Sequence, residues 1–156
     1  MTGEILKKVL ITFFTSMVPV VELRGAIPLG VSMGLSHFSA MIISIIGNLV
    51  PVPFIILFIR KVFAWIREHM PKLNNLVTGL EKRAVQKGEA LTRWKMAGLC
   101  LLVAIPLPGT GAWTGALVAA IFDMRLKDAL PPIIIGVTIA GLMITGLTYG
   151  FMEIFI

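Results

Sequence analysis

The chain has 156 residues, 57% of them hydrophobic and only 14% charged, with a net charge of +6. Soluble domains carry about 25% charged residues. A mean hydropathy of +0.94 therefore excludes an ordinary soluble fold and points to an all-α integral membrane protein. At about 20 apolar residues per crossing, the length allows a few spans in a single membrane domain over 1–156.

The first element is a helix over Glu4 to Met17, basic at Lys7 and Lys8. It begins like a signal peptide, but no small-residue cleavage site leads into polar sequence, so it is expected to be retained. From Val9 to Val21 the apolar run is 13 residues, too short to span. Pro19 to Gly30, PVVELRGAIPLG, then places Glu22, Arg24, two prolines and two glycines between apolar flanks. Charge and helix breakers are costly in lipid, and they persist where backbone lines a cavity or packs inside protein. Val9 to Leu35 thus reads as a hairpin that dips into the membrane and returns, the rival being one full span with a polar kink. Gly30 and Gly34 are spaced for close helix packing.

His37 to Ile59 is long enough to cross, with interruptions at Asn48, Pro51 and Pro53. The prolines suit a kink, and Asn48 either belongs to that kink or faces a central cavity. Arg60 to Lys95 holds nine basic residues and three acids. Within it Leu73, Leu76, Val77, Leu80 and Ala84 fall on one helical face. The expectation is an amphipathic helix at the membrane surface or against the protein's own base, with its charges solvated. Phe63, Trp65, Ile66 and Trp94 would hold its ends at the interface.

Met96 to Phe122 is broken by Pro106-Leu-Pro-Gly-Thr-Gly111 into legs of 10 and 11 residues. Neither can span, and a helix cannot run unbent through that sequence. A second returning hairpin follows. Ala129 to Met152 is the last crossing, with Gly136-x-x-x-Ala140 and Gly146-x-x-x-Gly150 as packing faces.

Hairpin, span, basic connector, hairpin, span gives two halves of opposite orientation, 1–60 and 96–156, joined by 61–95. Ala26-Ile-Pro-Leu29 and Ala104-Ile-Pro-Leu107 recur, one in each break. Inverted repeats of broken helices bind substrate near the midplane. Eleven Lys and Arg on the connector side against two on the other put the connector in the cytoplasm. The same topology accounts for the basic charge without nucleic acid.

The expected substrate or ion site is Glu22, Arg24, Pro28 and Asn48 with Pro106, Pro108, Gly109, Thr110, Gly111 and Trp113. If the first break is extended, Glu22 and Arg24 share a side. They could pair there or face a cavity together. Arg24 suits an anionic group such as phosphate, and Glu22 suits proton transfer, a common role for intramembrane carboxylates. Free N–H groups after Gly109 and Gly111 suit an anion, Thr110 adds a hydroxyl, and Trp113 either stacks a substrate or fills the core. Cys100 is alone, so no disulfide or cysteine metal cluster is expected. No phosphate loop, metal-ligand cluster or nucleophile–base set is evident, so neither an enzyme nor a cofactor is expected.

PVVELRGAIPLG and AIPLPGTGAWTGALVAA together resemble the small multidrug export protein family of prokaryotic inner-membrane proteins, which is distantly similar to the DedA/VTT superfamily. The resemblance implies two facing re-entrant hairpins. Their tips would be Glu22, Arg24 and Pro28, and Pro106 through Gly111. The acid and additional arginines of a DedA-type second hairpin are missing, with Asp123 and Arg125 the nearest charges. The expected function is a small secondary exporter, ion- or proton-coupled, acting as a homodimer in the inner membrane. Its substrate is a small molecule, an ion or a lipid phosphate. A lipid flippase or scramblase and a non-transporting scaffold are the alternatives.

Overall fold

A computed structural model describes residues 2–89 and 95–155, all helical or in helix connections, with no strand among them. Eight α-helices follow in order: α1 Thr2–Met17, α2 Glu22–Ser32, α3 His37–Leu49, α4 Pro51–His69, α5 Asn74–Glu89, α6 Lys95–Ala104, α7 Ala112–Ile121 and α8 Leu126–Phe155, with a short 3₁₀ turn at Pro71–Leu73. Trp94 and Arg93 lie outside the described residues.

Two elements are long and apolar enough to cross a membrane: His37–His69, 33 residues across α3 and α4, and Leu126–Ile154, 29 residues within α8. At 1.5 Å per residue, 33 residues reach about 50 Å, well beyond a hydrocarbon core of about 30 Å. The polar end of α4, from Arg60 onward, is the excess. The basic block is therefore divided between the end of α4 and α5, and α5 is the amphipathic helix expected within it. By contrast α2, α6 and α7 have 11, 10 and 10 residues and reach only about 15 Å each.

The first break is shorter than the sequence suggests. Only residues 18–21 are non-helical between α1 and α2, and Pro28 lies inside α2 and not at a tip. A proline within a helix loses one bond, which leaves the Arg24 carbonyl without its usual donor while the helix continues. The chain reverses through left-handed backbone at Val20 (φ 80°) and Glu22 (φ 48°). The two Ala-Ile-Pro-Leu segments are not equivalent either: the first is in mid-α2, the second runs from the end of α6 into its break.

The turns that follow α2 and α7 match in their hydrogen bonds. After α2, Gly34 N–H donates to Val31 and Leu35 N–H to Gly30; after α7, Asp123 N–H donates to Ala120 and Met124 N–H to Ala119. Both are Schellman caps with a left-handed residue, Gly34 (φ 91°) or Asp123 (φ 55°). The next helix begins three residues after each, at His37 and Leu126.

The core joins Leu23 and Ile27 of α2, Val52 and Ile55 of α4, Leu99 and Val103 of α6, the alanines of α7, and Ile133 and Val137 of α8. Small residues set the distances, as expected where packing alone holds helices together in lipid. A Cβ on Gly136 would stand 2.7 Å from the Cys100 carbonyl oxygen, and one on Gly47 would stand 2.5 Å from the Phe13 carbonyl oxygen. Gly146 and Gly150 meet nothing within 4 Å, so this pair does not bring α8 onto a neighbour within the chain.

Helix α5 packs on α4 and α7. Val77 and Ala84 are buried as its apolar face predicts, while Leu73 and Leu76 are exposed. Phe63 is a core residue, 6% exposed, and not an interface anchor. Trp65 is exposed and stacks on His69 at 4.9 Å. Arg60 pairs with Asp123 at 2.6 Å, tying α4 to the turn after α7, and Arg67 pairs with Glu81.

Candidate functional site

The second break is built from backbone turns. Leu107-Pro-Gly-Thr110 closes with Thr110 N–H donating to the Leu107 carbonyl at 3.1 Å. With Pro108 second and Gly109 at φ 76° third, it is a type II turn, which only glycine or asparagine fits well at that place. Gly111 (φ 128°) then enters α7 as its N-cap and offers no side-chain oxygen for the first N–H groups.

Glu22 from the first break supplies that oxygen. Its Oε1 accepts the Trp113 backbone N–H at 3.1 Å, and its Oε2 lies where a Cβ on Gly111 would be, 2.1 Å away. Glu22 is 4% exposed and is the only buried charged side chain among the described residues. It therefore caps α7 from the other half of the molecule, placing a negative charge at the positive end of the helix.

Arg24 meets the second break as a donor. Its guanidinium donates to the Leu107 carbonyl, to Thr110 Oγ1 at 2.8 Å and, at 3.5 Å, to the Ile105 carbonyl. The two carbonyls belong to the break after α6 and already accept N–H groups within it, from Leu107 at 2.8 Å and Thr110 at 3.1 Å, so Arg24 adds a further, charged donor to acceptors with two lone pairs each. Thr110 Oγ1 also accepts the Leu107 N–H at 3.2 Å and donates its own hydrogen within the same turn. Both residues open α2, and two positions apart on a helix they point in different directions. They make no ion pair with each other.

Trp113 Nε1 donates to the Met17 carbonyl at 3.0 Å, satisfying the end of α1. Asn48 is fully buried on α3 beside Glu22, and neither of its amide atoms has a partner in hydrogen-bond geometry. The structure thus brings together Glu22, Arg24, Asn48, Thr110, Gly111 and Trp113. Pro106 and Pro108 shape the second break, and Pro28 stands apart from it.

A cavity of about 450 Å³ adjoins this clasp, within the range of drug-sized ligand sites. Pro19, Val20 and Glu22 bound it on one side, Gly109, Thr110 and Trp113 on another, with Ile55 and Ile59 of α4 and Leu117 of α7 as apolar walls. Helix α5 completes it with Leu80, Arg83, Ala84 and Lys87. Lys87 Nζ donates to the Gly109 carbonyl. Arg24 lies outside the lining. Among the described residues no group of three or more His, Cys, Asp or Glu could hold a metal ion.

The family model described as "Putative small multi-drug export protein" matches residues 22–143. The chain belongs to that family. The match begins at the carboxylate of the clasp, directly after the first break, and ends within α8, so it contains the second break, α5 and the cavity lining apart from Pro19 and Val20. No curated protein and no solved structure matches the chain. Family membership and the two long apolar helices mark the chain as a membrane protein of an export family. Sequence reasoning missed the part that α5 plays in the cavity, because its charges read as a solvated face. The available signal was that Arg83 and Lys87 lie one turn apart and flank Ala84 at the edge of the apolar stripe.

Proposed function

We propose that the protein is a small secondary transporter that exports lipophilic small molecules along a path between the two breaks. In this reading α1–α2 and α6–α7 are re-entrant hairpins of an inverted repeat in a prokaryotic inner membrane, with α5 on the cytoplasmic side. The lengths of α2, α6 and α7 and the matching Schellman caps support the hairpins. The excess of Lys and Arg around α5 supports the orientation.

The observation that carries the reading is that the only buried charge among the described residues borders a drug-sized, largely apolar cavity. As a carboxylate, Glu22 gives the N-terminus of α7 a charge-assisted hydrogen bond, stronger than the one a neutral carboxyl gives. Binding of a proton or other cation there weakens the clasp between the halves and lets them separate, which couples ion and substrate movement.

Liposomes containing the purified protein and a panel of lipophilic dyes, cationic and anionic, test this under an imposed proton or sodium gradient. At least one dye is expected to move with the gradient. Glu22→Gln keeps an oxygen for the Trp113 N–H but loses the charge. Flux should fall at least about tenfold, in line with the about 1.5–3 kcal/mol of a charge-assisted hydrogen bond. Flux equal to that of empty liposomes overturns the transporter reading, and flux unchanged by Glu22→Gln overturns the coupling role.

A further inference from the structure

The charged residues lining the cavity are Glu22, Arg83 and Lys87. They differ in what else holds them. The Glu22 carboxylate is engaged by the Trp113 N–H and packed against Gly111. Lys87 gives one of its three N–H groups to the Gly109 carbonyl. Arg83 has no hydrogen-bond or ion-pair partner among the described residues. The charge left available to a ligand is therefore cationic. Arg24, the residue that sequence reasoning offered as an anion binder, is occupied by the Leu107 carbonyl and Thr110 and lies outside the lining.

The two cations are placed to act together. Arg83 and Lys87 are one helical turn apart, so both side chains leave the same face of α5. On the walls from α4 and α7, the side chains of Ile55, Ile59 and Leu117 offer no polar atom to a ligand. A guanidinium fork beside an ammonium suits a carboxylate, sulfonate or phosphate, and those apolar walls suit an aromatic or aliphatic body.

We infer that the cavity selects amphiphilic organic anions, the anionic group held by Arg83 and Lys87 and the apolar body lying against α4 and α7. The inference rests on the transport reading and deepens it: α5 is a substrate-selecting wall in addition to a connector. The anion could be a free organic acid or the headgroup of a lipid, since both present the same chemistry.

The test uses two ions of nearly equal size and opposite charge, tetraphenylborate and tetraphenylphosphonium. Trp113 lines the cavity, so Trp65→Phe with Trp94→Phe leaves its emission as a local reporter. The full chain is placed in nanodiscs of uncharged phosphatidylcholine and titrated with each ion. Saturable binding of tetraphenylborate is expected, about tenfold or more tighter than the phosphonium, as follows for two partly screened charges on one ligand. Arg83→Gln with Lys87→Gln should abolish the preference, and Arg83→Lys with Lys87→Arg should keep it, separating charge from fold. Equal affinities, tighter phosphonium binding, or a preference untouched by the glutamines overturn the inference and leave the transport reading standing. Binding of neither ion by a protein of unchanged helical circular dichroism overturns both. Displacement of bound tetraphenylborate by octyl sulfonate identifies a free acid as sufficient. Displacement by a short-chain phosphatidic acid alone supports the same site with a lipid headgroup as its ligand.

Discussion

The two breaks solve the same problem with opposite materials. The first is four residues long, 18–21, and is followed at once by a carboxylate and a guanidinium. The second is seven residues long, 105–111, and carries no charge, only carbonyls, a threonine and two left-handed glycines. Each lacks what the other has. Gly111 leaves the first N–H groups of α7 without a cap of its own, and Glu22 meets them, while Arg24 adds a charged donor to the Leu107 and Ile105 carbonyls of the break. A buried N–H left without a partner costs about 1–3 kcal/mol. Glu22 of the first half is thus a helix cap of the second, and these polar contacts join the halves in addition to the apolar core they share.

The comparison breaks most visibly at Gly111. Gly111→Ala puts a Cβ onto the Glu22 carboxylate at a backbone angle that side chains rarely adopt. It should destabilise by about 3 kcal/mol or more, read as a fall of about 10 °C in melting temperature in detergent. Gly109→Ala is the internal control, with Lys87 Nζ at 3.3 Å as the nearest atom. It should cost about 1 kcal/mol, from backbone strain alone. Equal losses at the two glycines would remove Glu22 from its capping role.

A smaller effect sharpens the claim that Glu22 and Arg24 act on the second break and not on each other. If they merely paired, exchanging them (Glu22→Arg with Arg24→Glu) would restore stability. With an arginine facing the N-terminus of α7 and a glutamate facing the carbonyls of the break after α6, the double variant should instead be at least as unstable as either single one. The shortfall should be about 2 kcal/mol, chiefly from the unmet buried N–H at the start of α7, measured by denaturant unfolding in micelles. Recovery of wild-type stability in the exchange would return them to a simple pair.

The smallest effect is at Val20. It is a β-branched residue at φ 80° and is 94% exposed, so its side chain contributes little packing while its backbone is strained. Val20→Gly should stabilise by about 1 kcal/mol, seen as a rise of about 3 °C in the same melt. A fall would mean that the valine side chain makes contacts in the membrane that outweigh its strain.

Much of this was legible in the residues. The prolines and glycines between Pro106 and Gly111 locate the second break, and α7 starts where the sequence places it, at Ala112. Close packing at Gly136 was readable from its spacing. The first break was placed too broadly because Pro28 breaks one hydrogen bond without ending a helix, and a local signal cannot tell a tolerated proline from a terminating one. The repeated Ala-Ile-Pro-Leu was a false correspondence for the same reason: identity of four residues carries no information about which turn of a helix they occupy. The dissimilar residues Gly34 and Asp123 share the left-handed cap, which glycine reaches freely and aspartate at modest cost.

Composition and hydropathy alone determined that this is a helical membrane protein. The two long apolar stretches follow from them, because lipid permits no unsatisfied backbone and span length is a matter of counting. Where the charges act was decided by tertiary structure. Glu22, Arg24, Arg83 and Lys87 each sit near local breakers or on an amphipathic face, and local pattern assigns the first pair to each other and the second to water. Their partners are 81 to 91 residues away for the first pair and 22 away for Lys87. Only the packing of α2, α5 and α7 around one cavity brings such distant donors and acceptors within reach.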